Sequence, residues 1–450
     1  MSLFSFNFKP KSERTSLILK QISLSFVFKG LSVIINFLLV PLSISYLDTD
    51  NYGVWLIITS FIGWFSLFDV GFEHGLRNKF AEAKSLGKDH LARALISSTY
   101  YTLASICFVL LLLFLIINFY VDWTKVFNTS PSLSYNLNKL MIVVFVFFFL
   151  QLFLKLITTI FTSDQKPSVA IIVNFANQLL SIIGIYFLLY YTNNSLFLFG
   201  ILFSGIPVLV LIFLNIFAFN TIYKKYKPSF KLWTLDNVKN VFGLGINFFL
   251  IQIAAVILYS TDNLIITQLY TPADVVPYNL SFKYFSIITI AFSIIVSPYW
   301  SAITEAYAKD EINWIRSSMK VLIKISLVFS VVIIFMIILA NHFYVFWVGD
   351  EIVIPFDLSI FMGFFVLISL FIQPFVFFIN GTGKIRMQLI IGVTMAVINI
   401  PLSILLAKYF NFGISGVILA TILCSLIGMV FYPIQYFKII NRKAFGIWNK

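Results

Sequence analysis

The most constraining feature of this 450-residue chain is a series of twelve apolar stretches, each long enough to cross a bilayer as a helix. A spanning helix needs about 20 apolar residues, because each residue adds about 1.5 Å and the hydrocarbon core is roughly 30 Å thick. The stretches lack the alternating pattern of a transmembrane barrel. They predict helical spans at 22–46, 51–72, 94–119, 139–163, 168–190, 196–219, 241–270, 277–302, 321–343, 356–380, 386–408 and 414–437.

The composition agrees with a lipid-facing exterior. Hydrophobic residues make up 60% of the chain and charged residues 11%, whereas soluble domains carry about 25% charged residues. Residues 1–21 are polar and basic and are not expected to form a cleaved signal peptide. The cysteines Cys107 and Cys424 lie in apolar stretches and are interpreted as core residues. We therefore predict an all-α polytopic membrane protein without a cofactor or a metal site.

The distribution of basic residues predicts the orientation. If the N-terminus is cytoplasmic, most of the 31 Lys and Arg residues lie on the cytoplasmic side, as the positive-inside rule requires. Anionic lipid head groups then account for the formal net charge of +13, so no nucleic-acid partner is expected. Both termini are predicted to be cytoplasmic.

A weak internal repeat divides the chain. Tyr46 matches Tyr270, and Asn177 matches Asn399, at offsets of 222 to 224 residues. Because each half would contain six spans, an even number, the two repeats run parallel. The predicted divisions are a cytoplasmic segment at 1–21, two parallel six-helix bundles at 22–219 and 241–437, a cytoplasmic linker at 220–240 and a tail at 438–450.

Five ionisable residues stand out inside the predicted spans, where each costs roughly 2.5–3.5 kcal/mol and usually faces a cavity or a partner. Lys29 and Asp69 lie on neighbouring spans, as do Asp262 and Lys283. One interpretation is two structural ion pairs, with Lys155 reaching the membrane interface. The other is a hydrated, net cationic cavity suited to a pyrophosphate or uronic-acid group.

Helical spacing places several of these residues on polar stripes. The candidates for a substrate cavity are Lys29, Asn36, Lys155, Asn177 and Lys283. The candidates for a coupling ion are Asp69 and Asp262. Catalytic parts are missing, because His74 and His90 lie outside the predicted spans, His342 lies at the very end of one, and the sequence contains no P-loop. The longest outer segment, about 120–138, is short for a catalytic domain. These features favour a transporter over an enzyme.

The segment 29–95 contains YGVW at 52–55 and GLRNKFAEA at 75–83. It resembles the Wzx-type polysaccharide flippases of the multidrug/oligosaccharidyl-lipid/polysaccharide (MOP) superfamily, and the second half fits more loosely through YSTD at 259–262. This resemblance implies a MATE-like, two-lobed exporter of undecaprenyl-pyrophosphate-linked oligosaccharide in the bacterial inner membrane, used in polysaccharide and O-antigen biosynthesis. It implies alternating access coupled to H⁺ or Na⁺, contact with membrane lipids and a polysaccharide polymerase as a partner.

The GLRNKFAEA segment has two interpretations. The favoured one is a cytoplasmic elbow or gate, stabilised by an i,i+4 pair of Glu73 and Arg77. The other is direct contact of Arg77 or Lys79 with the lipid pyrophosphate. The gate candidates are Glu73, Arg77, Lys79, Glu82, Glu305 and Arg316.

Two other functions remain open. A multidrug/cation antiporter of the same superfamily would need an acidic, aromatic cavity, whereas three of the five intramembrane charges are basic. A membrane glycosyl or acyl transferase would need catalytic groups that this sequence lacks.

Overall fold

The computed structural model describes residues 13–65, 72–130, 134–164, 166–242 and 261–449, and within these ranges the chain forms helices and no strands. The helices before residue 243 are α1 (Glu13–Phe65), α2 (Phe72–Ser85), α3 (Asp89–Tyr120), α4 (Trp123–Val126), α5 (Ser134–Leu154), α6 (Leu156–Ser163), α7 (Ser168–Tyr191), α8 (Leu196–Asn220) and α9 (Leu235–Phe242). The helices after residue 260 are α10 (Asp262–Leu269), α11 (Val275–Ala308), α12 (Ile312–Val348), α13 (Phe356–Thr382), α14 (Arg386–Ile404) and α15 (Ser415–Ile440).

Ten helical segments in the described residues are long and apolar enough to cross a membrane. The first, Leu24–Phe65, has 42 residues, about twice the length that one crossing requires. It contains the predicted spans 22–46 and much of 51–72, while most of the predicted span 241–270 lies outside the described residues. The chain is a multi-pass α-helical membrane protein, which confirms the predicted fold class.

The break between the first two spans is shorter than the predicted loop at 47–50. Only Asp48 leaves the helical conformation within α1, with φ 69° and ψ 171°. Its carboxylate accepts hydrogen bonds from the backbone N–H and the side-chain amide of Asn51, at 2.9 and 2.8 Å. Asp48 therefore caps the second part of α1, and these bonds compensate for an unfavourable left-handed φ.

Two compact units make up the chain. The first contains Met1–Leu47, Phe68–Asp122 and Ser134–Asn247, and the second contains Asp48–Leu67, Trp123–Leu133 and Phe248–Lys450. The second part of α1 thus groups with the C-terminal helices. The bundle boundaries at 22–219 and 241–437 stay a prediction, because this grouping reflects contacts rather than the limits of the sequence repeat.

The two units are built from corresponding contacts. In the first unit, α5 packs against α3 and α8, and α7 packs against α8; in the second, α13 packs against α12 and α15, and α14 packs against α15. Tyr46 donates a hydrogen bond to the carbonyl of Asn193, which follows α7, at 2.9 Å. Its predicted counterpart Tyr270 donates to the carbonyl of Ala407, which follows α14, at 2.8 Å. The repeat seen in the sequence is therefore also a repeat of contacts.

Candidate functional site

A polar cavity of ≈ 410 Å³ lies within the second unit. Its polar lining comes from α1, α10, α11, α13 and α15. These side chains are Ser60, Asp262, Asn263, Tyr278, Asn279, Ser286, Thr289, Ser369 and Thr421. Apolar cavities stay dry, whereas a cavity with so many hydrogen-bonding groups can hold water or an ion.

Asp262 is the acidic group of this cavity. It begins α10 and is 6% exposed. The hydroxyl of Tyr278 donates a hydrogen bond to Asp262 Oδ2 at 2.5 Å, while Oδ1 is buried and has no hydrogen-bond partner among the described residues. A buried carboxylate is expensive unless its oxygens are bonded or neutralised. Oδ1 is therefore available to a proton or to a small cation.

A chain of amides continues from Asp262 across the cavity. Asn279 donates to Asn263 Oδ1 at 2.8 Å, and Asn263 donates to Ser60 Oγ at 2.6 Å. A second hydrogen bond of Asn279 goes to the carbonyl of Val275, one helical turn back, at 2.9 Å. The chain fixes the orientation of both amides. It holds α10, α11 and α1 together around the carboxylate.

Lys283 lies in the same unit as Asp262 but contacts a different residue. Its Nζ donates to the hydroxyl of Tyr52, in the YGVW segment, at 3.3 Å. Asp262 and Lys283 are described residues, yet they form no ion pair with each other within 4.0 Å. Asp262 uses Tyr278 instead, which lies five residues before Lys283 on α11. The structural ion pair considered for these two residues is therefore wrong.

A polar seam lies within the first unit between α1 and α7. The rings of Phe28 and Phe175 meet edge to face with centroids 5.1 Å apart, and Tyr46 reaches Thr192 just beyond α7 at 2.9 Å. The two helices are thus neighbours that run in the same direction. Lys29 and Asn36 on α1 are half-buried and exposed, respectively, and Asn177 on α7 is half-buried.

Three buried oxygens without hydrogen-bond partners belong to the two helices of this seam. Ser32 Oγ, Asn177 Oδ1 and Gln178 Oε1 are buried and have no hydrogen-bond partner within the described part of the chain. Each such group costs about 1–3 kcal/mol when it stays unsatisfied. Amides and hydroxyls both donate and accept. The seam can therefore satisfy the hydroxyl groups of a sugar.

An ion pair connects α2 to the end of α5. Lys155 Nζ lies 2.8 Å from Glu73 Oε1, so Lys155 has a protein partner rather than only the membrane interface. Lys79 and Glu82 form a more exposed pair at 3.1 Å. Both pairs belong to the first unit. They are consistent with an elbow role for α2.

A second cluster of charges surrounds Asp164, which follows α6. Its carboxylate accepts hydrogen bonds from Lys84, from Lys166 at 2.8 Å and from the hydroxyl of Tyr223 at 2.9 Å. Burial acts to raise the pKa of Asp164, but these three donors outweigh it and hold the pKa below its ordinary value. Asp164 is therefore ionised at neutral pH and joins α2, α6 and the segment after α8.

Gly75 explains part of the GLRNKFAEA segment. A Cβ added at Gly75 would lie 2.0 Å from the carbonyl oxygen of Val241, so only glycine lets α2 approach the backbone of α9 this closely. Gly53 of the YGVW segment makes a similar approach, with the corresponding distance to the carbonyl oxygen of Pro272 also 2.0 Å. Both sequence segments thus contain a glycine required by packing.

The sequence model of one family matches residues 18–304, more than half of the chain, and its description is "Polysaccharide biosynthesis protein". The chain belongs to the polysaccharide biosynthesis protein family. Sequence similarity to a candidate O-antigen export protein of Yersinia pseudotuberculosis reaches 23% identity over 425 residues, which covers 91% of this chain and 94% of that protein. A candidate O-antigen transporter of Salmonella typhi is 21% identical over 58% of this chain and 59% of its own length.

Solved structures place this family member in the fold of the MOP superfamily. An inward-facing multidrug resistance MATE transporter of that superfamily covers 95% of the chain with a TM-score of 0.78 at 12% identity, and all of its own chain is covered. A Pyrococcus furiosus MOP transporter, described as having a binding pocket of reverse polarity, covers 96% of both chains with a TM-score of 0.66 at 14% identity. At these identities the likeness establishes the fold alone. It confirms the predicted MATE-like fold.

The candidate residues of this polysaccharide biosynthesis protein fall into separate groups. Lys29 and Asn36 lie on α1 and Asn177 lies on α7, the two helices of the seam, while Asp262 lies in the cavity of the second unit. Arg316 donates to Asn441 at 3.1 Å, and Arg77 is exposed. Asp69 and the side chain of Glu305 lie outside the described residues. The substrate, coupling and gate roles of all these residues stay predictions.

Sequence reasoning missed most of the cavity lining. Ser60, Asn263, Tyr278, Asn279 and Thr421 were not among the candidates, because neutral polar residues are frequent in membrane helices. The adjacency of Asp262 with Asn263, and of Tyr278 with Asn279, was the available signal. Those pairs lie 16 residues apart and meet because a short turn joins α10 to α11.

Proposed function

We propose that this chain is a flippase that moves undecaprenyl-pyrophosphate-linked oligosaccharide from the cytoplasmic to the outer leaflet of the bacterial inner membrane. The observation that carries the proposal is the match to the polysaccharide biosynthesis family over residues 18–304. The similarity to a candidate O-antigen export protein over 94% of that protein's length supports the same substrate class. In this proposal both termini lie in the cytoplasm, and a polysaccharide polymerase would act on the exported product.

The seam of the first unit suits the polar part of such a substrate. Lys29 offers a cation to the pyrophosphate, and Asn36, Asn177 and Gln178 offer donors and acceptors to sugar hydroxyls. Lys283 is a further cationic contact in the second unit. The seam contains one basic group and several amides, which fits an anionic, hydroxyl-rich ligand better than a cationic drug.

The cavity around Asp262 is our proposed site for the coupling ion. Its unpartnered Oδ1 can take up H⁺ or Na⁺, and the surrounding hydroxyls and amides can supply further oxygen ligands. Binding would neutralise the only acid among the described residues that line this cavity, and so change the preference of the transporter between two conformations. Asp69 is a second candidate for the same role.

A complementation experiment tests the flippase proposal. The chain is expressed in a strain that lacks its own flippase and makes a defined lipid-linked glycan, and surface glycan is measured. We expect display to be restored by the wild type and by the control Lys320→Ala, which alters an exposed lysine on α12. Lys29→Ala and Asn177→Ala should reduce display while their membrane expression stays normal.

Other outcomes would identify the alternatives. Resistance to cationic drugs without glycan display, in strains that make several different glycans, would indicate a multidrug/cation antiporter. Turnover of a lipid-linked sugar by the detergent-purified chain would indicate a transferase. Normal display in both seam variants would contradict the proposed substrate seam but leave the flippase assignment in place.

A further inference from the structure

We infer that residues 222–239, which we call the strap, bind the anionic phospholipid head groups of the cytoplasmic leaflet. The strap follows α8 and includes the first residues of α9. It contains five lysines and a single acid, Asp236. The inference rests on the proposed cytoplasmic position of this segment and does not depend on what the protein transports.

Hydrogen bonds hold the strap along the first turns of α3. Five of them connect the two segments, and the first three pairs follow the same order along both. They join Lys225 to Asp89 (2.8 Å), the carbonyl of Lys227 to Arg93 (2.9 Å), the N–H of Ser229 to Ser97 (3.0 Å), the N–H of Thr234 to Ser98 (3.1 Å) and the indole N–H of Trp233 to Thr102 (2.9 Å). The strap therefore has a fixed position relative to a membrane-spanning helix.

This ladder of contacts sets the depth of the strap in the membrane. From Asp89 to Thr102 the helix rises about 20 Å at 1.5 Å per residue. The whole of α3 has 32 residues and is about 48 Å long, well beyond a hydrocarbon core of roughly 30 Å. We place the start of α3 at head-group level, and Thr102 further along the helix toward the hydrocarbon. Lys225 and Lys227 share the first level, and Trp233 shares the second.

The exposed side chains of the strap match these two levels. Phe230 is 71% exposed and Leu235 is 54% exposed. Phe230 meets the ring of Tyr101 edge to face at 5.4 Å. Phe108, seven residues after Tyr101 and so on a similar face of α3, is also exposed. The exposed cations are Lys224, Lys225, Lys227, Lys231 and Lys239.

Two buried tyrosines anchor the cationic end. Tyr223 and Tyr226 are 1% and 2% exposed, and Tyr226 donates its hydroxyl to Asp89. Their burial turns the intervening Lys224 and Lys225 outward. Aromatic and apolar groups at the hydrocarbon border, with lysines at head-group level, are the chemistry of an interfacial lipid-binding segment. A protein or nucleic-acid partner would not require the apolar groups to lie against a spanning helix.

The depth of the strap can be measured with spin labels on the full-length protein in lipid nanodiscs. Single labels are placed at Phe230→Cys, Lys224→Cys and, as a control, Lys443→Cys in the tail. We expect oxygen to relax the label at 230 most strongly and an aqueous nickel chelate to relax the control label most strongly. The label at 224 should show the intermediate accessibility of a group at head-group level. Aqueous accessibility at 230 equal to the control would overturn the inference.

Lipid selectivity is tested by charge removal. The variant Lys224→Gln/Lys227→Gln/Lys231→Gln is compared with Lys320→Gln/Lys324→Gln/Lys443→Gln, which removes three exposed charges elsewhere. Each lysine near an anionic surface contributes about fivefold, so the concentration of phosphatidylglycerol for half-maximal thermal stabilisation should rise on the order of 100-fold in the strap variant only. An equal rise in both variants would overturn the inference, as would equal stabilisation of the wild type by inorganic phosphate. A failure of glycan export would alter neither readout.

Discussion

Replacing Gly75 with alanine should weaken the contact between α2 and α9. The added Cβ would lie 2.0 Å from the carbonyl oxygen of Val241 and 2.8 Å from its carbonyl carbon, and real Cβ atoms essentially never come within 3.0 Å of another heavy atom. The two backbones must therefore separate, since neither clashing atom belongs to a flexible side chain. Val241 is fully buried, and the rings of Phe72 and Phe242 also meet across this contact with centroids 5.8 Å apart.

The size of the effect follows from two opposing terms. Overpacking that shifts the backbone costs about 1–3 kcal/mol, while alanine improves helix propensity by about 1 kcal/mol. We expect a net loss of up to about 2 kcal/mol in the free energy of unfolding. Gly30→Ala is the matched control, because a Cβ there meets nothing within 4 Å. The control should leave stability unchanged or slightly increase it.

The assay is the thermal loss of monodisperse protein in detergent, followed by fluorescence-detected size exclusion. Gly75→Ala should lose monodispersity at a lower temperature than the wild type, and Gly30→Ala should not. Equal melting of the two variants would refute the packing argument. It would also mean that the close approach of α2 to α9 does not require a glycine in the GLRNKFAEA segment.

Three further predictions concern charges and the second glycine. Asp262→Asn should abolish the dependence of transport on an ion gradient in proteoliposomes while keeping the hydrogen bond from Tyr278; unchanged coupling would exclude Asp262 as the ion site. Asp164→Asn should lower the free energy of unfolding at pH 7 by about 2 kcal/mol, since hydrogen bonds to a charged group are lost. Because the pKa of Asp164 is below its ordinary value of 3.8, the stabilisation by this carboxylate is complete above pH 3.8 and is lost as the pH falls through the folded pKa. Thermal melts of the wild type and of Asp164→Asn between pH 7 and 3 check this. An equal pH dependence of the two melting temperatures would contradict it. Gly53→Ala should lower the melting temperature, as Gly75→Ala does, because its Cβ would meet the carbonyl of Pro272; a melt equal to that of Gly30→Ala would contradict this.

Hydropathy predicts the fold well, because a bilayer imposes one strong rule on every span. A helical backbone satisfies its own hydrogen bonds in lipid, so a long apolar stretch forms a helix. The break between the first two spans was less predictable. A four-residue gap in hydropathy indicated a loop at 47–50, whereas the carboxylate of Asp48 caps the next helix and keeps the helical path on both sides.

Side-chain partners were predicted poorly, because sequence proximity was used in place of spatial proximity. Asp262 and Lys283 lie on neighbouring spans, yet Tyr278 is nearer to the carboxylate and takes its place. Lys155 and Glu73 are 82 positions apart in the sequence and nevertheless pair. Hydropathy carries no information on which distant residue a short polar helix such as α2 will contact.

The attachment of the strap to α3 has a consequence for dividing the protein into two co-expressed fragments. The α3 partners of the strap all belong to the first unit, and they are Asp89, Arg93, Ser97, Ser98 and Thr102. A cut at Asn220 would place the strap on the C-terminal fragment, separate it from α3 and expose Tyr223 and Tyr226. A cut just after Phe242 would keep the strap and α3 on the N-terminal fragment. Two co-expressed fragments should therefore reassemble when the chain is divided after Phe242 and fail to do so when it is divided at Asn220.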